Sequence, residues 1–165
     1  MAALPGGTLA SGSDDGTVRL WDIGARTCFA TLAGHSGCKP VNALAVLADG
    51  RLASGSGDNT IRLWDLGTRT CVGVLAGHTN SVSALAALPD GRLVSGAWDH
   101  NLRVWDTRPV AAAAGSHAVG AVPTIGFAHK LSAPFALVPL PGDLLASDDG
   151  VAVQLLHVPP PTPYE

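Results

Sequence analysis

Three residue types that together can perform nucleophilic catalysis occur twice in the same order. The two sets are His35, Ser54 and Asp58, and then His78, Ser95 and Asp99. A serine hydroxyl becomes a nucleophile when an imidazole takes its proton and a carboxylate orients that imidazole. A catalytic site needs such a set once, whereas here the set recurs. The recurrence favours a structural role over a hydrolase site.

Aspartate, histidine and cysteine residues could also hold a metal ion. Asp14-Asp15 and Asp148-Asp149 are acidic pairs, but a calcium loop needs about six oxygens from a longer segment. The six histidines and three cysteines show no zinc-ligand spacing. The sequence therefore predicts no metal and no other cofactor.

The charge balance and the cysteines narrow the class of protein. Ten basic residues stand against thirteen acidic ones, so we expect no nucleic-acid binding. Residues 109–129 carry no Lys, Arg, Asp or Glu, but Pro123 and three glycines interrupt them, so we expect no membrane span. Cys28, Cys38 and Cys71 form no C-x-x-C pair, which favours the cytoplasm or nucleus. Cys28 and Cys71 are predicted to be buried apolar side chains, and Cys38 to be exposed.

The composition favours strands and turns. Twelve of the thirteen acidic residues are Asp, and the chain has 20 Gly and 12 Pro. These three residue types favour turns, whereas the Glu, Lys and Gln that fill exposed helix faces are rare. The composition thus predicts an all-β chain of short strands.

An internal repeat organises the chain. The segment at 9–22 returns with substitutions at 52–65 and 93–106, and its Trp-Asp tryptophans lie 43 and 41 residues apart. The sequence Leu-Ala-Gly-His occurs at 32–35 and again at 75–78. Agreement over three copies indicates a repeated structural unit.

Each repeat is predicted to form a small antiparallel sheet. Residues 17–21 alternate between apolar and polar, as a half-buried strand does. Asp15-Gly16 predicts a hairpin turn from a partner strand at 8–13. An apolar run such as 41–47 and a further run such as 28–32 bring the number of strands in a repeat to four.

At these residues the chain resembles the WD-repeat β-propeller family. The resemblance rests on the Gly-His pair, an Asp six residues before the tryptophan, and the closing Trp-Asp. It implies four-stranded antiparallel blades around a central channel, which generally act as rigid platforms for other proteins. One architecture hosts many functions, so the resemblance specifies fold more than function.

The resemblance also implies a structural role for the histidine, serine and aspartate sets. With a tryptophan, they match a buried hydrogen-bonded chain that joins the strands of a blade. The aspartate can accept from the histidine, which can reach the serine, whose hydroxyl can reach the indole N–H. The matching residues are His35, Ser54, Asp58 and Trp64, then His78, Ser95, Asp99 and Trp105, and, in a first repeat without the histidine, Ser11, Asp15 and Trp21.

The repeats predict an array of about three and a half to four blades over residues 1–158. The blades are expected at 1–33, 34–76, 77–114 and 128–158, with a loop insertion at 109–127 and a Pro-rich tail at 159–165. The first begins inside a repeat. The fourth is degenerate, since it keeps His129 and Asp149 but has Leu156 at the tryptophan position. We expect both end blades to be looser than the middle two.

Trp98 is the candidate anchor for a partner. It directly precedes Asp99, where other repeats have Asp14, Gly57 or Asp148, so the blade itself does not require an aromatic ring there. Large aromatic side chains in such loops are frequent binding anchors, and packing on a neighbouring loop is the alternative. The candidate partner-binding residues, on the face that carries the histidine loops, are Trp98, His100, Lys39, Asn80 and Asp14.

The predicted function is a non-enzymatic scaffold that binds other proteins or peptides. About four blades are too few for the usual closed ring, so we expect a piece of a longer propeller or a chain that self-associates. A small closed four-bladed ring is the third possibility. A substrate-recognition or regulatory subunit of an enzyme complex, such as a ubiquitin ligase, is a narrower alternative. An enzyme with a propeller pocket is the least favoured one.

Overall fold

The computed structural model describes residues 1–107, 136–140, 144–148 and 153–158. Within these residues the chain forms fourteen β-strands and no helix, which confirms the predicted all-β fold. No helix in this part of the chain could therefore cross a membrane. The predicted loop insertion at 109–127 and the tail at 159–165 lie outside the described residues.

The strands form four antiparallel sheets, in which neighbouring strands are consecutive in the chain. The first sheet contains β1 (Ala2–Leu4), β2 (Thr8–Gly12), β3 (Val18–Asp22) and β4 (Thr27–Leu32). The second contains β5 (Val41–Val46), β6 (Leu52–Ser56), β7 (Thr60–Asp65) and β8 (Thr70–Ala76). The third contains β9 (Val82–Ala87), β10 (Arg92–Ala97) and β11 (Leu102–Asp106), and the fourth contains β12 (Ala136–Leu140), β13 (Leu144–Asp148) and β14 (Val153–His157).

The pattern of burial explains why these segments form strands. In β3, Val18 and Leu20 are buried while Arg19 between them is partly exposed, as a strand with one covered face requires. Strands β6 and β10 are buried along their whole length, because each lies inside its sheet with another sheet on both faces.

In the first two repeats, the aspartate of the Trp-Asp pair fixes the turn that follows it. A carboxylate oxygen of Asp22 accepts from the backbone N–H of Ala25 at 2.8 Å, and one of Asp65 accepts from Thr68 at 2.8 Å. These bonds satisfy backbone groups that the strand ladder leaves unpaired. The tryptophan of the pair therefore packs its indole at the end of one strand, and the aspartate bonds to the backbone of the turn that follows.

The sheets stack in chain order, with an apolar core between each neighbouring pair. We call the face that packs on the following sheet the forward face, and the opposite one the backward face. The core between the first two sheets includes Ala10, Val18, Leu20 and Leu32 of the first and Leu52 and Trp64 of the second. The next core includes Ala53 and Leu63 against Leu93 and Trp105, and the last includes Val94 and Val104 against Leu145 and Leu156.

The expectation for Cys28 is wrong, since this residue is exposed and Cys71 is half-buried. Both lie on the last strand of their sheet and pair with the tryptophan of the preceding strand, Trp21 or Trp64. Cys71 packs against the core between the first two sheets. Cys28 is on the backward face of the first sheet, which no sheet covers among the described residues. Cys38 is exposed, as predicted.

Candidate functional site

Four side chains of the second sheet form a continuous hydrogen-bonded chain. The indole N–H of Trp64 donates to the Ser54 hydroxyl oxygen at 2.8 Å, and that oxygen lies 2.7 Å from Nε2 of His35. Nδ1 of His35 lies 2.9 Å from a carboxylate oxygen of Asp58. The chain runs from the middle of the sheet to the loop before β5, so it ties that loop to β6 and β7.

The third sheet repeats this chain with nearly the same distances. Trp105 donates to Ser95 at 2.7 Å, Ser95 lies 2.7 Å from His78, and His78 lies 2.9 Å from Asp99. The carboxylate also accepts from the backbone N–H of Thr79 at 2.9 Å. Each aspartate thus holds both the histidine and the loop that carries it.

The titratable groups of the two chains have shifted pKa values. Burial lowers the pKa of both His35 and His78, and this effect outweighs the opposing effect of the neighbouring aspartate. Burial alone would raise the pKa of Asp58, but hydrogen bonds from Thr60, Ser36 and His35 outweigh it and lower the pKa to about 2. The distances therefore fit a neutral imidazole that donates from Nδ1 to an ionised carboxylate and accepts at Nε2 from the serine.

This arrangement cannot perform nucleophilic catalysis. The hydroxyl oxygens of Ser54 and Ser95 belong to residues with 0 % exposure, so no substrate can approach them. Each hydroxyl is also engaged, because it accepts from an indole and lies against a histidine nitrogen. The geometry resembles a catalytic triad, but its place inside the sheet allows only a structural role.

The first sheet retains part of the chain. Trp21 donates to Ser11 at 2.8 Å, but no histidine of the described residues links this pair to Asp15. The carboxylate instead accepts from the Thr17 hydroxyl at 2.6 Å and from Arg19 at 2.9 Å. The Thr17 hydroxyl and backbone bonds are the main reason why the pKa of Asp15 is lowered. This exposed aspartate therefore stabilises its own turn.

The fourth sheet keeps only the serine of the hydrogen-bonded chain among its described residues. Ser147 on β13 pairs with β12 and β14 in the same register as Ser95 on β10 pairs with β9 and β11. Its buried hydroxyl has no hydrogen-bond partner among the residues that the structure describes. Leu156 stands where the other sheets have an indole donor, and it cannot supply one. His129 and Asp149, which sequence reasoning placed in this repeat, lie outside the described residues.

The candidate binding residue Trp98 is 46 % exposed in the turn between β10 and β11. This turn lies at the end of the sheet that carries the histidine loops, which we call the upper face. The backbone N–H of Trp98 donates to the carbonyl of Ser81 at 2.9 Å. Two residues later, His100 is exposed with a φ of 63° and closes the turn through a bond to Ala97.

The other candidate residues occupy neighbouring loops of the upper face. Asn80 is exposed, and its amide lies 3.5 Å from the carbonyl of Trp98 while its oxygen accepts from the Ser81 N–H at 2.8 Å. Asn80 therefore braces the loop that presents the indole. Lys39 and Asp14 are also exposed, in the loop before β5 and in the turn after β2.

The second sheet shows why its turn has no aromatic residue. Gly57 corresponds to Trp98, and its N–H donates to the carbonyl of Pro40 at 2.8 Å. A Cβ at Gly57 would lie 3.1 Å from the Pro40 ring and 3.5 Å from Lys39. The loop before β5 fills this space, whereas the corresponding loop before β9 leaves room for an indole.

Sequence reasoning missed Asn42. This residue is exposed at a bulge in β5, where the register shifts between Val41 and Ala43. Its side-chain amide donates to the hydroxyl of Ser81 and to the carbonyl of Val82, both at 2.9 Å. Asn42 thus ties the second sheet to the loop that supports Trp98. A polar residue at the start of an apolar strand was the signal available in the sequence.

Metal binding receives no support from the described part of the chain. Among those residues no group of three or more histidines, cysteines or acidic side chains lies close enough to hold a metal ion. Asp14 and Asp15 lie in one turn, and the Asp15 carboxylate accepts hydrogen bonds from Thr17 and Arg19.

Stacked antiparallel sheets, joined internally by Asp–His–Ser–Trp chains, are the features of a β-propeller blade array. The family model described as WD domain, G-beta repeat, matches residues 2–22, 26–65 and 69–106, which is more than half of the chain. The chain therefore belongs to the WD40 repeat family. No curated protein matches the chain closely enough to count as a relative.

Proposed function

We propose that this chain is a non-enzymatic scaffold that binds a peptide or a partner domain through its upper face, with Trp98 as the anchor. Members of the WD40 family typically serve as protein-interaction scaffolds. The observation that carries the finer proposal is the half-exposed indole of Trp98 in a turn that is bonded on both sides.

Hydrogen bonds of the adjacent Asp99 hold the turn around Trp98 in place. Asp99 accepts from the backbone N–H groups of Thr79 and Asn101 at 2.9 and 3.0 Å, and it also bonds to His78. An indole on such a turn loses little conformational entropy when it binds, and this smaller entropy loss favours affinity. Tryptophan supplies a large apolar area with one donor, which suits the centre of an interface.

The neighbouring side chains define what kind of partner would fit. Lys39, His100 and Asn80 are exposed and polar or basic, so they suit the rim of an interface around an aromatic centre. We propose a partner segment with an apolar side chain for Trp98 and with acidic or hydrogen-bonding neighbours. Nothing in the described residues favours the narrower role in a ubiquitin-ligase complex or an enzymatic pocket.

A random-peptide display selection on the immobilised chain tests the proposal. The affinity of an enriched peptide is then measured for wild type, Trp98→Ala and Phe29→Ala. Phe29 is a matched control, since it is an exposed aromatic residue on the outer strand β4. We expect Trp98→Ala to weaken binding by about tenfold or more and Phe29→Ala to leave it unchanged. Equal effects of the two substitutions, at unchanged melting temperature, would contradict the proposal.

We also propose that the chain works in the cytoplasm or nucleus. The proposed compartment is supported by three free thiols in the described structure, two of them exposed. Fractionation of cells with an antibody against the chain tests the compartment. Recovery from a secreted fraction would contradict it.

A further inference from the structure

The residues between the sheets follow one repeating pattern. On each backward face, a leucine on the second strand pairs with the tryptophan position of the third strand. These pairs are Leu9 with Trp21, Leu52 with Trp64, Leu93 with Trp105, and Leu145 with Leu156. On each forward face, a row of small and aliphatic residues covers the pair that follows.

The first backward face has no cover among the described residues. Leu52 and Trp64 are buried beneath the first sheet, whereas Leu9 and Trp21 are only partly buried. The same row continues to Ala3 on β1 and Cys28 on β4, which are both exposed. This row is apolar throughout, and its central leucine and tryptophan are the residue types that are buried at Leu52 and Trp64 in the second sheet.

The fourth forward face also has no covering sheet among the described residues. Its row consists of Val138, Ala146 and Leu155, which pair across the three strands. Val138 is 53 % and Leu155 is 65 % exposed. In the third sheet the corresponding row of Ala86, Val94 and Val104 is buried against the fourth sheet.

We propose that a second copy of this chain docks head to tail, with the forward face of its fourth sheet on the backward face of the first sheet. The proposal rests on the proposed role as a blade array but does not depend on binding at Trp98. It extends an interface that the chain already uses three times between its own sheets. Neither row contains a charged residue, and Arg19, which lies on the same face of the first sheet, is already paired with Asp15.

The contact joins two different faces and is therefore heterologous. Two copies that each offer one forward and one backward face form a closed pair if the rotation between them closes, and an open chain if it does not. In both cases the partly exposed Trp21 becomes buried. Pairing of the two fourth sheets with each other would instead be isologous, and the experiment below separates the two arrangements.

The experiment measures the mass of the whole 165-residue chain by sedimentation over a range of concentrations. Leu155→Asp places a charge on the forward face and Ala3→Arg places one on the backward face. Both positions are exposed, so each variant is expected to keep the fold, and thermal melts check this. Val74→Asp is the matched control, because Val74 is 47 % exposed on the outer strand β8.

Wild type and Val74→Asp are expected to form dimers or longer assemblies. Each of the other two variants alone should weaken association by roughly 100-fold. A mixture of Leu155→Asp and Ala3→Arg should associate again, since one of the two contacts in the mixed pair is unaltered. A monomer at all concentrations, association that either charge leaves intact, or a mixture that does not recover would overturn the proposal. Loss of peptide binding in Trp98→Ala has no bearing on this result.

Discussion

The serine hydroxyl at the centre of each complete chain bonds to two other side chains. Ser54 accepts from Trp64 and faces Nε2 of His35, so its removal leaves two buried polar groups without a partner. Ser147 stands at the equivalent position but has no partner among the described residues. We therefore expect the serine to stabilise the second sheet more than the fourth.

A pair of substitutions tests this difference. We expect Ser54→Ala to lower the free energy of unfolding by about 1–3 kcal/mol, because an indole N–H and an imidazole lose their partner. Ser147→Ala should leave the free energy of unfolding unchanged or raise it, because it removes a buried hydroxyl that has no partner in the described part of the chain. Urea denaturation of both variants measures the effect. Equal losses would show that the two serines have the same environment.

The buried histidines predict a loss of stability in mild acid. Burial lowers the pKa of His35 and His78 below the usual 6.5, so the unfolded chain binds more protons than the folded chain once the pH falls below about 6.5. The free energy of unfolding should therefore decrease from that pH down to the lowered pKa values. Asp58, whose pKa is lowered from 3.8 to about 2, should add a further loss between those two values.

Urea titrations near neutral and mildly acidic pH measure this dependence. The control is the double variant His35→Gln, His78→Gln, which has no buried imidazole to protonate. Its stability should be lower than that of wild type and should change less with pH. A wild-type stability that rises on acidification would contradict the account, because it would require histidines that are charged in the folded state.

At the scale of elements, close contact between neighbouring sheets depends on residues without bulk. A Cβ on Gly55 in β6 would lie 2.6 Å from a methyl group of Val82 in β9, and one on Gly12 in β2 would lie 2.6 Å from the carbonyl oxygen of Val41. These glycines allow the second strand of one sheet to touch the first strand of the next sheet.

Gly55→Ala should therefore separate the second and third sheets. We expect a loss of about 1–3 kcal/mol in the free energy of unfolding, since an added methyl in a packed core forces its neighbours to move. Gly24→Ala is the control, because the nearest atom to its Cβ is an aspartate oxygen at 3.4 Å. It should change the stability by about 0.5 kcal/mol or less. Thermal melts that rank the two variants in the opposite order would contradict the packing described.

The sequence predicted the strands, the sheets and the polar residues that recur with them. Alternation at 17–21 and the recurring Trp-Asp pair depend on local chemistry, which a sequence displays. The bulge at Asn42, the burial of the Ser147 hydroxyl and the exposure of Cys28 depend on which sheet lies opposite. Local patterns do not contain that information. The loop that fills the space beside Gly57 was missed for the same reason.

At the scale of the whole molecule, a residue's contribution to stability depends on whether a neighbouring sheet covers it. Leu63 and Leu155 occupy the same forward position in the second and fourth sheets. Leu63 is fully buried against the third sheet, whereas Leu155 is largely exposed. The array therefore distributes stability unevenly, with most of it in the three covered interfaces.

Leucine-to-alanine substitutions measure that distribution. We expect Leu63→Ala to lower the free energy of unfolding by about 2–5 kcal/mol, because it leaves a cavity. In dilute solution, where copies are separate, Leu155→Ala should change it by about 0.5 kcal/mol or less. Denaturation curves at low protein concentration provide both values. A large loss for Leu155→Ala under these conditions would mean that its side chain is covered within a single chain.

The central claim is that the chain uses tryptophan in two ways, as a fixed part of its blades and as an anchor for a partner. Hydrogen exchange of the four indole N–H groups, followed by NMR, tests this claim most directly. The account predicts slow exchange for the buried Trp64 and Trp105, which donate to serines, faster exchange for Trp21, and the fastest for the half-exposed Trp98. An indole of Trp98 as protected as that of Trp64 would contradict it, because Trp98 would then be a packing residue.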